Sequence, residues 1–150
     1  MKLHLDDIRI RNDSERGLFI DGCIYVSIND VYFPSDHWFD LVSVDLEHWI
    51  PDLISFSNEH TDIINFQFMD GPFQIRLSRS NDGAVRANLL EYQKLIMTAN
   101  IDFSEFLRSV VKCLNKLGTV MYHSDQKKSY SLEIARLGVV TKVLRSFLEH

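Results

Sequence analysis

Apolar and polar residues alternate over positions 3–11, where Leu3, Leu5, Ile8 and Ile10 are separated by His4, Asp6-Asp7 and Arg9. That period of two predicts a strand, and the doubled aspartate shifts its phase once, as a β-bulge or a strand start does. Asn12-Asp13-Ser14-Glu15-Arg16-Gly17 reads as a turn. The β-branched and aromatic residues that follow predict strands at about 18–20 and 23–28, extended to Phe33, with Asp21-Gly22 and Asn29-Asp30 as punctuation.

From Ser35 the period changes. Trp38, Leu41, Val42, Leu46, Trp49, Ile50 and Leu53 recur at intervals of three and four, which predicts a short helix near 41–56. Pro51 falls within it. The helix either runs over 43–50 and ends before the proline, or a second short turn starts there.

Strand alternation resumes at Ile64, Phe66 and Phe68, then at Phe73, Ile75 and Leu77, with Asp70-Gly71 supplying the reversal. Asn81-Asp82-Gly83 makes the next turn. Val85, Ala87 and Leu89, and then Leu95, Met97, Ala99 and Ile101, complete an antiparallel meander with one buried face.

Asp102 and Glu105 mark a helix N-terminus. Phe103, Phe106, Leu107, Val110, Val111, Leu114 and Leu117 form a continuous stripe, with Lys112 and Lys116 late and Gly118 as the stop. A polar loop is expected over 124–128. A last helix follows at about 130–148, with Leu132, Ala135, Val139, Val140, Val143, Leu144, Phe147 and Leu148 on one face. The fold class expected is α+β: a meandering antiparallel sheet of five or more strands packed against helices at about 103–117 and 130–148, all within a single domain of 1–150.

Composition narrows the class without adding chemistry. At 150 residues, 45% hydrophobic and 25% charged, the chain has the makeup of one soluble globular domain. No run approaches the ~20 apolar residues of a membrane helix. The N-terminus turns acidic at once and does not read as a signal peptide, so a cytoplasmic protein is expected. Cys23 and Cys113, each among apolar neighbours, fit buried reduced thiols.

Charge is unevenly spread. Residues 1–70 carry 14 Asp and Glu against 4 Lys and Arg, a net of −10, whereas residues 71–150 carry 7 against 12, a net of +5. An acidic chain is a poor ligand for nucleic acid. An acidic half instead suits a basic protein partner. The residues expected to present that charge are Asp36, Asp40, Asp45, Glu47, Asp52 and Glu59, with Asp40 alternatively the cap of the helix near 41.

Nucleophile elbows, phosphate-binding glycine loops and zinc-protease motifs are absent from the sequence. His37/Asp40 and Asp45/His48 have a spacing that could bind a metal or act as acid and base on a helix. A solvated acidic helix face explains them as well, so no catalytic residue, metal or cofactor is expected. Glu59-His60 is a weaker pair still. Trp38 and Trp49 could stack bases, but the surrounding Asp36, Asp40, Asp45 and Glu47 would repel phosphate, which favours core packing.

Phe33-Pro34, Trp38, Asp40, Leu46, Trp49, Phe68-Met69-Asp70-Gly71-Pro72-Phe73 and Asp102-Phe103-Ser104-Glu105-Phe106-Leu107 form an ordered series. It resembles the small immunity proteins of bacterial polymorphic toxins, including contact-dependent growth inhibition systems, over about 18–117. The long C-terminal helix departs from that pattern. The resemblance implies a non-catalytic protein that binds a cognate toxin domain in the cytoplasm and blocks its active site or substrate access. A basic nuclease toxin would suit the acidic half. The alternatives are a small cytosolic regulatory or oligomeric module, and a small hydrolase using His37, Asp40, Asp45 or His48.

Overall fold

The computed structural model describes residues 1–13, 15, 17–124 and 130–149. Its elements run β1 (Lys2–Asp13), β2 (Gly17–Ile28), β3 (Val31–Phe33), β4 (Phe39–Asp40), α1 (Val42–Ser57), β5 (Ile63–Gln67), β6 (Phe73–Arg79), β7 (Val85–Glu91), β8 (Lys94–Ile101), α2 (Phe103–His123) and α3 (Ser131–Ser146). The expected α+β class with an antiparallel meander is what the chain forms, the eight strands among the described residues being divided between two four-stranded sheets.

In the first sheet β2 is central. β1 lies on one side, and β3 and β4 share the other. The doubled aspartate does make a bulge: the β1–β2 register shifts between Asp6 and Arg9, and Asp7 takes a φ of 49°. Gly22 does not interrupt β2. It faces the bulge so closely that a Cβ would lie 2.9 Å from the Asp6 carbonyl oxygen, a space only glycine leaves open. Asn29 and Asp30 both have positive φ and turn β2 into β3, as a two-residue hairpin requires.

The free edge of β1 is covered by α2. Ser109 Oγ accepts from the Leu3 amide at 2.8 Å, Lys116 Nζ donates to the Leu5 carbonyl at 2.7 Å, and the Cys113 thiol donates to the Leu3 carbonyl at 3.5 Å. Residues 109, 113 and 116 lie along one helix face, so a single element satisfies an edge that would otherwise be open to pairing.

The second sheet has the order β5-β6-β7-β8 and the alternation read from the sequence except at Leu95, which is 59% exposed beside the β7–β8 register shift at Leu89/Leu90. Ile64, Phe66, Ile75, Leu77, Val85, Ala87 and Leu89 are buried on the inner side. Its last turn, Tyr92-Gln93, adopts positive φ at both positions without glycine or asparagine, so no turn signal marked it. One hydrophobic cluster joins both sheets and all three helices, with Phe56, Phe66, Phe68 and Phe106 fully buried within it.

The helices depart from expectation in three places. α1 passes through Pro51 unbroken; the proline is exposed, where water can serve the carbonyl that its missing N–H leaves free. α2 continues past Gly118 to His123. Gly118 faces Leu137 of α3, where a Cβ would meet Cδ2 at an ordinary contact distance of 3.4 Å, and the helix continues through it.

α3 is turned from its expected orientation. Ile134, Leu137, Val140, Thr141 and Leu144 face inward, while Leu132, Ala135, Val139 and Val143 face solvent, with Leu132 and Val139 58% and 63% exposed. The helix is apolar on more than one side, and contact with α2 selects which side is covered. Most of the expected 124–128 loop lies outside the described residues.

The N-terminus of α2 is as expected: Asp102 Oδ1 accepts from the Glu105 amide at 3.0 Å. Asp102→Ala should therefore cost about 1 kcal/mol, read as a lower urea midpoint at unchanged m-value.

Candidate partner-binding surface

The stripe that folds α1 against the core is Val42, Asp45, Leu46, Trp49, Leu53 and Phe56, at intervals of three and four. The same spacing turns Glu47, His48 and Asp52 outward, and all three are exposed. Beyond the helix, Glu59 lies 3.5 Å from Arg79 Nη1. Arg79 is itself held by the Phe56 carbonyl at 2.8 Å and by the Phe56 ring, 4.6 Å from its guanidinium carbon. Asp36 is exposed in the β3–β4 loop, near Tyr25.

A groove of about 380 Å³ runs beside α1. Leu18, Ile20, Leu46, Ile50, Leu117 and Val140 supply apolar walls, and Glu47, Glu133 and Arg136 also line it. Acidic and apolar surface thus lie side by side.

Asp40 and Asp45 are not part of that surface, which corrects the expectation for both. Each is 1% exposed. Asp40 accepts from the Leu41 amide at 2.7 Å, from Trp38 Nε1 at 3.1 Å and from the Asp70 amide at 3.0 Å. It does not cap α1, whose N-cap is Leu41. Asp45 Oδ1 accepts from the Met69 amide at 2.8 Å, while its Oδ2 is buried without a partner.

Burial, followed by the neighbouring Asp40 charge, pushes the Asp45 carboxyl up to about 8. Burial also raises Asp40, against the opposing pull of the Trp38, Leu41 and Asp70 donors. Two buried acids so close cannot both ionise cheaply, so Asp45, with one donor, stays protonated at neutral pH beside Asp40, which has three. Together they clamp the 68–72 turn onto the start of α1.

The two His/Asp pairs do not form sites of their own. Asp40 and Asp45 point inward, whereas His37 and His48 are exposed, and His48 Nδ1 lies 2.8 Å from the Val44 carbonyl. His37 sits instead beside Tyr25, ring centroids 5.8 Å apart.

The ordered aromatic series converges on the same clamp. Phe33 meets Phe68 and Phe73 at 6.1 and 5.7 Å, Trp38 meets Phe73 at 4.9 Å, and Trp49 meets Phe68 at 5.0 Å. Trp49 Nε1 donates to the Gln67 carbonyl at 2.8 Å. Edge-to-face contacts and donated indole N–H groups explain these residues by packing. Gly71, at a φ of 92°, would bring a Cβ within 2.9 Å of the Phe73 ring.

Sequence reasoning missed the outer face of the first sheet. There His4 stacks on Tyr25 at 4.8 Å, Tyr32 stands edge-on to both, and Arg9 lies over Phe39 at 5.3 Å. Tyr32 and Phe39 are 49% and 41% exposed. The signal was the odd-numbered face of β2, with Cys23, Tyr25 and Ser27 opposite Ile24, Val26 and Ile28.

No protein family, curated protein or solved structure matches the chain in comparison. No helix among the described residues is long and apolar enough to cross a membrane.

Proposed function

We propose that this is a non-catalytic binding protein of the immunity type, which neutralises a basic toxin domain in the cytoplasm by covering its active site or substrate path. The observation that carries this reading is the outer side of α1. Glu47 lines an apolar groove beside this helix, Asp52 is exposed on another side of it, and Glu59 is exposed beyond its C-terminus. Carboxylates speed and orient encounter with a basic surface, and an adjoining apolar groove accepts an anchoring side chain. Asp36 adds charge from a separate loop, and Asp40 and Asp45 serve the surface only by holding its scaffold. The same carboxylates repel phosphate, which favours a protein over a nucleic acid as the partner of this face.

Growth rescue tests the reading. A toxin domain encoded by the adjacent reading frame, expressed alone, should arrest growth, and co-expression of this chain should restore it. Continued arrest, or the absence of any such frame beside the gene, would contradict the proposal.

A further inference from the structure

The β-bulge in β1 brings a third residue to a histidine and a cysteine that are distant in sequence. Asp7, Cys23 and His37 each offer a ligand atom, and these atoms all lie within 4.8 Å of one another. The Cys23 thiol donates to Asp7 Oδ2 at 3.7 Å. The three come from β1, β2 and the loop between β3 and β4, so the sheet itself fixes their approach.

We propose that Asp7, Cys23 and His37 form a Zn2+ site on the outer face of the first sheet, with solvent as the fourth ligand. Thiolate, imidazole and carboxylate together are a donor set that zinc accepts, and three protein ligands plus water is the open form of its tetrahedron. Bonds of about 2.0–2.3 Å to these atoms place ligand pairs roughly 3.3–3.6 Å apart. The Cys23–Asp7 pair is already close to that separation, and the others need only a modest inward closure.

Asp7 and His37 both sit in the left-handed region, at φ values of 49° and 57°, which non-glycine residues occupy at some cost. Cys23 is 6% exposed, whereas Asp7 and His37 are exposed, so the cluster opens outward from one buried sulfur. Without metal the Cys23 thiol carries the proton that it donates to Asp7 Oδ2. Binding of Zn2+ releases that proton to solvent, and the resulting thiolate and carboxylate balance the two positive charges. Asp6 is occupied by Lys116 at 2.6 Å and is not needed as a ligand.

The test is a Co2+ titration of the untagged full chain, prepared metal-free under reductant. One equivalent should produce a near-ultraviolet thiolate-to-cobalt band and visible tetrahedral absorption, and Zn2+ should abolish both. Cys23→Ser should remove the near-ultraviolet band, whereas Cys113→Ala should retain it. His37→Asn and Asp7→Asn keep a residue tolerant of positive φ. Each should weaken Zn2+ competition at least about tenfold with an unchanged circular dichroism spectrum. Absence of the near-ultraviolet band, its survival in Cys23→Ser, or unaltered affinity in both asparagine variants would overturn the site. None of these outcomes depends on a toxin partner.

Discussion

Asp40→Ala should lower the stability of the fold by about 3–5 kcal/mol, seen as a large drop in the urea midpoint at neutral pH. The side chain is 1% exposed and accepts from the Leu41 amide, the Asp70 amide and Trp38 Nε1. Alanine removes the one side chain that accepts all three of these part-buried hydrogen bonds, and each donor left without a partner costs roughly 1–3 kcal/mol. Asp40→Asn should fall between, because the amide keeps one acceptor oxygen and turns its NH2 towards a donor. A loss below about 1 kcal/mol for alanine would mean that the 68–72 turn is held by its aromatic contacts alone.

Asp45 should make the protein less stable as pH rises from about 4 to about 8. An unfolded chain releases this proton near the ordinary value of 3.8, whereas the folded protein holds it up to about 8. Between those values the unfolded state binds fewer protons, so stability falls with increasing pH and levels off above the folded value. At about 1.4 kcal/mol per pKa unit, the contribution is on the order of a few kcal/mol.

Asp45→Asn keeps an acceptor for the Met69 amide and cannot ionise. Its stability relative to the parent should therefore be flat below pH 4, climb between 4 and 8, and plateau above. Urea titrations across that range measure the difference in slope, which is independent of any constant cost of the amide. Parallel curves for the two proteins would show that Asp45 is charged in the fold.

Local chemistry made much of this architecture readable. β5 to β7 followed from period-two alternation and the Asp-Gly turns, β8 from alternation alone, and the start of α2 from Asp102 with Glu105. Asp45 was also legible in principle. It lies three residues after Val42 and four before Trp49, within the buried stripe itself. Its charge suggested exposure, but its hydrogen-bond partner, Met69, lies 24 residues away and could not be read locally.

Orientation choices made by distant elements were likewise hidden. α3 carries apolar residues on more than one side, and its packing against α2 and α1 puts Thr141 and Leu144 inside and leaves Val139 out. The Asp7–Cys23–His37 cluster combines a bulge, a strand and a loop, and no spacing within 30 residues of chain announces such a group.

The exposed carboxylates of α1 are the centre of the functional account, and an association-rate measurement tests them most directly. Glu47→Lys with Asp52→Lys changes two exposed side chains, so thermal stability should move by no more than about 0.5 kcal/mol. Stopped-flow mixing with the toxin domain from the adjacent frame, over a series of salt concentrations, separates steering from contact. The account predicts association at least about tenfold slower at low salt, a much flattened salt dependence and little change in dissociation rate. Association that is equally fast and equally salt-sensitive in the double variant would contradict it.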